Sequence, residues 1–308
     1  MSMTGLRAAG PEAGGAVMAT GIVSIAIQAD GQEALSRGLL VIATLAWGLL
    51  GGLFLVRLRH DPGRWRGEAA RPAALTGVAG TTVVGAGLTE FGWLWAGWVL
   101  LAIAAILYLV LLSEWMSERS IPSAGVGFLL VVAPESVAVL AATLADRVGI
   151  AWPALAALVP FVAGLGAYPV VLAHFDARVQ LQRGAGDQWV SGGALAISTL
   201  ACARIAEATA SYHDLAGLHA TLRIASLVLC ALTIAWLPVL VGAEIRSPRP
   251  TYDVRRWATV FPLGMYSVMS VATGEITSVQ ALVTFGKAWA WVALAAWVVT
   301  TLGSMNPR

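Results

Sequence analysis

The sequence predicts an all-α integral membrane protein with ten transmembrane helices, on three observations. Of 308 residues, 58% are hydrophobic and 12% are charged, about half the charge of an average soluble domain. The mean hydropathy is +0.78, and a soluble protein of this size has nowhere to hide so much apolar surface. The apolar residues fall in continuous runs of about 20, the length needed to cross a bilayer as a helix. The runs do not alternate with a period of two, which speaks against a barrel. Cys202 and Cys230 are too few to staple a disulfide scaffold, and the hydrophobicity excludes disorder. A net charge of +2, with basic residues dispersed in short loops, disfavours nucleic acid as a partner.

The spans are expected at 11–29, 38–58, 72–90, 92–113, 121–145, 150–174, 188–211, 219–243, 256–279 and 284–304. They occupy most of residues 1–308 as a single transmembrane unit, and the short connections make sequential helices antiparallel neighbours. The first is read as a span and not a cleaved leader. It is glycine-rich, lacks a leucine core, and ends in Ile27-Gln28-Ala29, a poor cleavage site. Odd-numbered spans are rich in glycine or carry a proline: Gly14, Gly15 and Gly21 in the first, Gly77, Gly80, Gly85 and Gly87 in the third, Pro134 in the fifth. Gly192 and Gly193 follow in the seventh, and Pro262, Gly264 and Gly274 in the ninth. The fourth span is greasier and suits lipid, whereas Pro160, Gly164, Pro169 and Pro238 blur the contrast in the sixth and eighth. Small residues let helices pack closely. Equally, helix breaks are tolerated beside a water-filled cavity, so the odd spans could form an inner ring around a pore.

Arginine placement gives the orientation. Arg7, Arg57, Arg59, Arg64, Arg66, Arg71, Arg119, Arg178, Arg183, Arg246, Arg249, Arg255, Arg256 and Arg308 fall on one side. Arg37, Arg147 and Lys287 fall on the other. The excess places both termini in the cytoplasm of a multi-pass cell-membrane protein.

Glu135, Arg204, Glu207 and Arg223 lie within or near the ends of spans. Each costs about 2.5–3.5 kcal/mol if it faces lipid at mid-membrane, so they should face protein or water. One reading is a structural ion pair, Arg204 with Glu207 or Glu135, joining the fifth and seventh spans. The other is a charge in a permeation path: Arg204 attracting an anion, Glu135 or Glu207 carrying a proton. Arg223 can snorkel to the interface. Motifs of zinc hydrolases, serine hydrolases, nucleotide-binding loops and redox cysteines are missing, and His60, His174, His213 and His219 are scattered. No cofactor, metal or enzymatic activity is therefore expected; a membrane enzyme or sensor is the remote alternative.

Two segments are more specific: Met18-Ala19-Thr20-Gly21-Ile22-Val23-Ser24, and Trp257-Ala258-Thr259-Val260-Phe261-Pro262-Leu263-Gly264-Met265-Tyr266-Ser267 continuing to Ala272-Thr273. Together they resemble the tellurite-resistance/dicarboxylate transporter family, which includes bacterial tellurite-resistance channel homologues, fungal malate and sulfite transporters and the slow anion channel of plant guard cells. Pro134-Glu135-Ser136-Val137-Ala138 fits more loosely. The resemblance implies five helical hairpins around a central pore, odd helices inner and even helices outer, in a homotrimer with one pore per subunit. It implies that the phenylalanine before the ninth-span proline, Phe261, closes the pore as a hydrophobic constriction. Pro262 and Gly264 would make room for the ring to move. Gly14, Gly21 and Gln28 are seven apart with Ser24 nearby, so one small, weakly polar helix face would meet the pore. Gly14, Gly21, Ser24, Pro134, Gly193, Pro262 and Gly264 are thus the expected pore lining. Small inorganic anions moving through a channel are the first expectation, and a proton-coupled carrier of C4-dicarboxylates such as malate, or of sulfite, the alternative. Two departures from the family, the glycines before Met18 and the charges Glu135, Arg204 and Glu207, bear on the substrate.

Overall fold

A computed structural model describes residues 10–118, 120–183, 186–249 and 252–305, and among these all regular structure is helical. Eight helices are long and apolar enough to cross a membrane. They are α1 (Gly14–Ala29, led in by a 3-10 turn at Pro11–Ala13), α2 (Glu33–His60), α5 (Leu94–Glu118), α6 (Leu129–Val148), α7 (Ala151–His174), α9 (Gln188–Thr209), α10 (Ala216–Arg246) and α12 (Gln280–Met305). The stretches expected as the third and ninth spans form α4 (Thr76–Glu90) and α11 (Trp257–Thr277). These fall outside that set because glycine, serine and threonine take many of their positions.

Two short helices were not foreseen in the sequence, α3 (Pro62–Ala69) and α8 (Ala177–Arg183). Asp61 caps α3 by accepting from the Arg64 amide at 3.1 Å, and Pro62 sits in its first turn, where the missing N–H costs nothing. Helices α2, α5 and α10 also run beyond their apolar stretches. In α2 the last turn holds Arg57, Arg59 and His60, which complement the negative end of the helix dipole. Arg7, Arg119 and Arg308 of the orientation argument, and the Arg183 side chain, lie outside the described residues.

The helices sort into two layers. Of the eighteen most apolar residues, 89% are buried in α6 and in α9 against 17% in α2. Helices α1, α4, α6, α9 and α11 form the inner layer; α2, α5, α7, α10 and α12 present Leu45, Ile106, Val159, Ile224 and Val299 outward. Each inner helix pairs with the outer helix that follows it across a short connection, so all five inner helices point the same way.

The inner ring closes on itself through one tight seam between each pair of neighbours. A Cβ on Gly21 of α1 would stand 2.4 Å from Val83 of α4, and one on Gly85 of α4 2.8 Å from Leu140 of α6. Ser198 of α9 donates to Glu135 of α6. A Cβ on Gly193 of α9 would stand 2.8 Å from Pro262 of α11, and one on Gly264 of α11 2.6 Å from Ile22 of α1. Glycine therefore sets how tightly the ring is drawn. Outer helices are pegged to it by side chains that reach hydroxyls and carbonyls. Trp47 donates to Thr81 at 2.8 Å, Trp236 to Ser191 at 3.0 Å and Trp297 to Thr20 at 2.9 Å. Such bonds in a membrane are worth on the order of 1 kcal/mol each.

Candidate functional site

The ring holds a partly open cavity of about 30 Å³, to which all five inner helices contribute. Ile22 and Ile25 come from α1, Thr82, Val83, Ala86 and Glu90 from α4, Ser136, Val139 and Thr143 from α6. Ile197, Leu200 and Arg204 come from α9, Met265 and Val268 from α11. The lining is apolar and weakly polar. The Thr82, Ser136 and Thr143 hydroxyls donate back to carbonyls of their own helices at 2.9, 2.7 and 2.8 Å. That leaves Arg204 as the strong donor at the cavity.

One helical turn toward the N-terminal end, on the same faces, stand Met18, Val132, Gly193 and Phe261, all buried. Phe261 is 3% exposed. Its spacing of four and seven from Met265 and Val268 puts it on the cavity face of α11, though it is not itself among the cavity-lining residues. Pro262 carries no amide hydrogen, which frees the Ala258 carbonyl beside it.

Charge gathers at the opposite end of the cavity. Arg204 donates to Glu207 at 2.7 Å, and Arg147 of α6 pairs with Glu90 of α4. Asp146 and Glu275 are within electrostatic reach of Arg204, and Lys287 of Glu275. The structural ion pair expected for Arg204 is therefore with Glu207, within α9, and not with Glu135.

Glu135 is fully buried but turned from the cavity toward the seam with α7 and α9. Both its oxygens lie within 2.8 Å of the Ser198 hydroxyl, and a Cβ on Gly164 of α7 would stand 2.4 Å from its Cγ. Among the described residues it makes no ion pair. Pro134 precedes it, buried inside α6.

The other expected lining residues divide by what they touch. Gly14 lies against Thr76, where a Cβ would stand 2.3 Å from Oγ1. Gly21, Gly193 and Gly264 occupy the ring seams described above. Ser24 donates to the Ser36 carbonyl of α2 at 2.7 Å, and Ser36 reaches Gln28 at 3.3 Å. That face of α1 meets its hairpin partner, because two buried serines satisfy one another there. Arg204 is the one expected site residue among the cavity-lining set. Thr82, Glu90, Ser136 and Thr143 were missed. The signal was present in Ser136, Val139 and Thr143, which recur at i, i+3 and i+7.

Outside the membrane-spanning segments, two carboxylates flank the N-terminal end of the ring. Burial pushes the Asp187 carboxyl up, and Arg255 and Arg249 oppose this. The hydrogen bond from Arg255 holds Asp253 below the usual carboxylate range. Asp253 caps the 3-10 turn that leads into α11, accepting from the Arg255 amide at 2.9 Å, whereas α1, α4, α6 and α9 start without a side-chain cap.

Comparison with known proteins agrees with this architecture. A family model described as SLAC1, voltage-dependent anion channel, matches residues 9–305. The chain belongs to that family. It is also 32% identical over 130 residues to uncharacterised membrane proteins of two Mycobacterium tuberculosis strains, CDC 1551 / Oshkosh and H37Rv. That match takes in 38% of this chain, which spans 62% of the length of each relative. With its long apolar helices, this SLAC1-family chain is a multi-pass membrane protein.

Proposed function

We propose that the chain carries small anions through the centre of its inner ring, along a path closed by Phe261. The observation that carries the reading is the central cavity, lined by all five inner helices, with Phe261 on the cavity face of α11 one turn away. A phenyl ring in an apolar, dehydrated layer excludes ions until it rotates aside. At the cavity itself Arg204 supplies one cation whose charge Glu207 and Glu90 largely offset. An anion is drawn in and held weakly, as conduction requires. The N-termini of the inner helices, four of them without a side-chain cap, add a positive potential at the other mouth.

In the same reading α4 and α11 also cross the membrane, giving ten spans in five hairpins with odd helices inner. The N-terminal end of the inner helices and both termini then face the cytoplasm, where the arginine excess falls. Three copies assemble, each with its own pore. The chain acts as a transporter and not as an enzyme. Gly14, Gly21, Ser24, Pro134, Gly193, Pro262 and Gly264, none of which lines the cavity itself, enter this proposal as residues that shape the ring and its gate from the contacts between helices.

A second reading rests on Glu135, a buried carboxyl without a cation in contact. In a proton-coupled carrier of C4-dicarboxylates or sulfite, Glu135 takes up the proton. The experiment is anion flux into proteoliposomes with chloride, nitrate, sulfite and malate in turn, with and without a pH gradient. Flux independent of the gradient supports the channel. Flux that requires it, and that Glu135→Gln abolishes, supports the carrier.

A further inference from the structure

On the outer side of the ring, between α1, α2, α4 and α5, the molecule holds a groove of about 800 Å³. Its walls are apolar: Leu50 and Phe54 of α2 face Ile103, Ile106, Leu107 and Val110 of α5. Helix α2 packs closely on the ring in its first half, where a Cβ on Gly87 would stand 2.6 Å from Leu40. In its second half Gly48, Gly51 and Gly52 line the groove, and a Cβ built on any of them meets nothing within 4 Å. No side chain among the described residues fills this space.

The extent of the groove fits one leaflet. From Trp47 to Leu58, both of which line it, α2 rises roughly 16 Å at 1.5 Å per residue. Half of a hydrocarbon core of about 30 Å is about 15 Å.

One end is polar, and it is the end of the molecule that carries α3. Trp65 and Ala69 of α3 are buried, while Arg64 and Arg66 are exposed, the pattern of a helix lying in a membrane interface. Trp65 lines the groove, packs edge-on against Phe54, and is 7% exposed, yet its Nε1–H has no hydrogen-bond partner. A buried indole N–H left unpaired costs free energy, so a ligand acceptor there would be favoured. Beside it Glu68 accepts from both Arg57 at 3.0 Å and Arg64 at 2.8 Å. Two guanidiniums share one carboxylate there, so the three side chains sum to a positive formal charge.

We propose that this groove is a binding site for an anionic phospholipid. Its acyl chains lie between α2 and α5, and its phosphate sits at Arg57 and the Trp65 N–H. The apolar walls, the one-leaflet length, the unpaired donor and the positive end are the features such a lipid satisfies together. The site lies on the outer side of the ring, apart from the central cavity, and does not depend on which anion the ring carries.

The test is native mass spectrometry of the detergent-purified full chain, titrated with dioleoyl-phosphatidylglycerol or with dioleoyl-phosphatidylcholine. Wild type should retain the anionic lipid at least about tenfold better, a difference of about 1.4 kcal/mol. Gly51→Leu, which narrows the groove, should lose that preference, as should Arg57→Gln, which leaves the walls intact. Gly166→Leu, on the exposed face of α7, should keep it. Melting in detergent reports folding of each variant, and Arg57→Gln keeps the test decisive if Gly51→Leu does not fold. Equal retention of the two lipids by wild type overturns the proposal, as does equal retention of phosphatidylglycerol by all four proteins. So does loss of the oligomer in Gly51→Leu when wild type holds no lipid, because the groove would then be filled by a second copy.

Discussion

Phe261 and Arg204 sit at two heights of one axis, and their chemistry gives opposite expectations. On the proposed reading the phenyl ring is the barrier, so Phe261→Ala should raise anion flux by about tenfold or more, the effect of removing at least about 1.4 kcal/mol of barrier. Arg204 is the attraction, so Arg204→Gln should lower flux several-fold. Glu207→Gln should raise it, because Arg204 then keeps more of its charge for the passing ion. The three variants measured side by side in chloride-loaded liposomes separate a gate from a binding site. Glu135 was legible in the sequence as a charge needing protein or water around it, but its direction was not. Its neighbour Ser136 meets the cavity, and one residue along a helix turns the side chain by about 100°. In a channel, Glu135→Gln should therefore leave both flux and its pH profile unchanged.

At the scale of elements, glycines spaced along the odd spans signalled close approach, and the ring seams are where that happens. The sequence left open whether such glycines face a pore or a neighbour, because a small residue serves both. The partner decides: Val83 at Gly21, Pro262 at Gly193 and Ile22 at Gly264, each from a distant segment. Ser24 shows the same limit, since Ser36 twelve residues later takes its hydroxyl. The short helices α3 and α8 were hidden for another reason, being polar segments with no apolar run. Where helices meet backbone to backbone, substitution is least forgiving. A Cβ on Gly286 of α12 would stand 2.7 Å from the Ser267 carbonyl of α11, which already accepts no relief from a flexible side chain. Gly286→Ala should cost about 1–3 kcal/mol in thermal or denaturant unfolding in detergent. Ahead of α11, Arg255 stabilises the charged form of Asp253. Its folded value is lowered, so its contribution is full above the ordinary carboxylate range and disappears as pH falls through that lowered value. Asp253→Asn should flatten the acid side of a stability–pH profile over that window.

The whole molecule combines a ring drawn tight by glycine with an outer layer that meets lipid. All five inner helices present their N-termini to one end, cytoplasmic on the proposed reading, and a cluster of paired charges marks the other. On that reading, an anion entering from the N-terminal end meets helix dipoles first, then the layer of Phe261, then the cavity and Arg204. The measurement that tests this most directly is anion flux into proteoliposomes, wild type beside Phe261→Ala, with chloride, nitrate, sulfite and malate in turn. The account predicts that wild type is nearly tight, that the variant leaks anions, and that the ranking of the anions reveals the substrate class. A folded Phe261→Ala protein as silent as wild type for every anion, with or without a pH gradient, would contradict it.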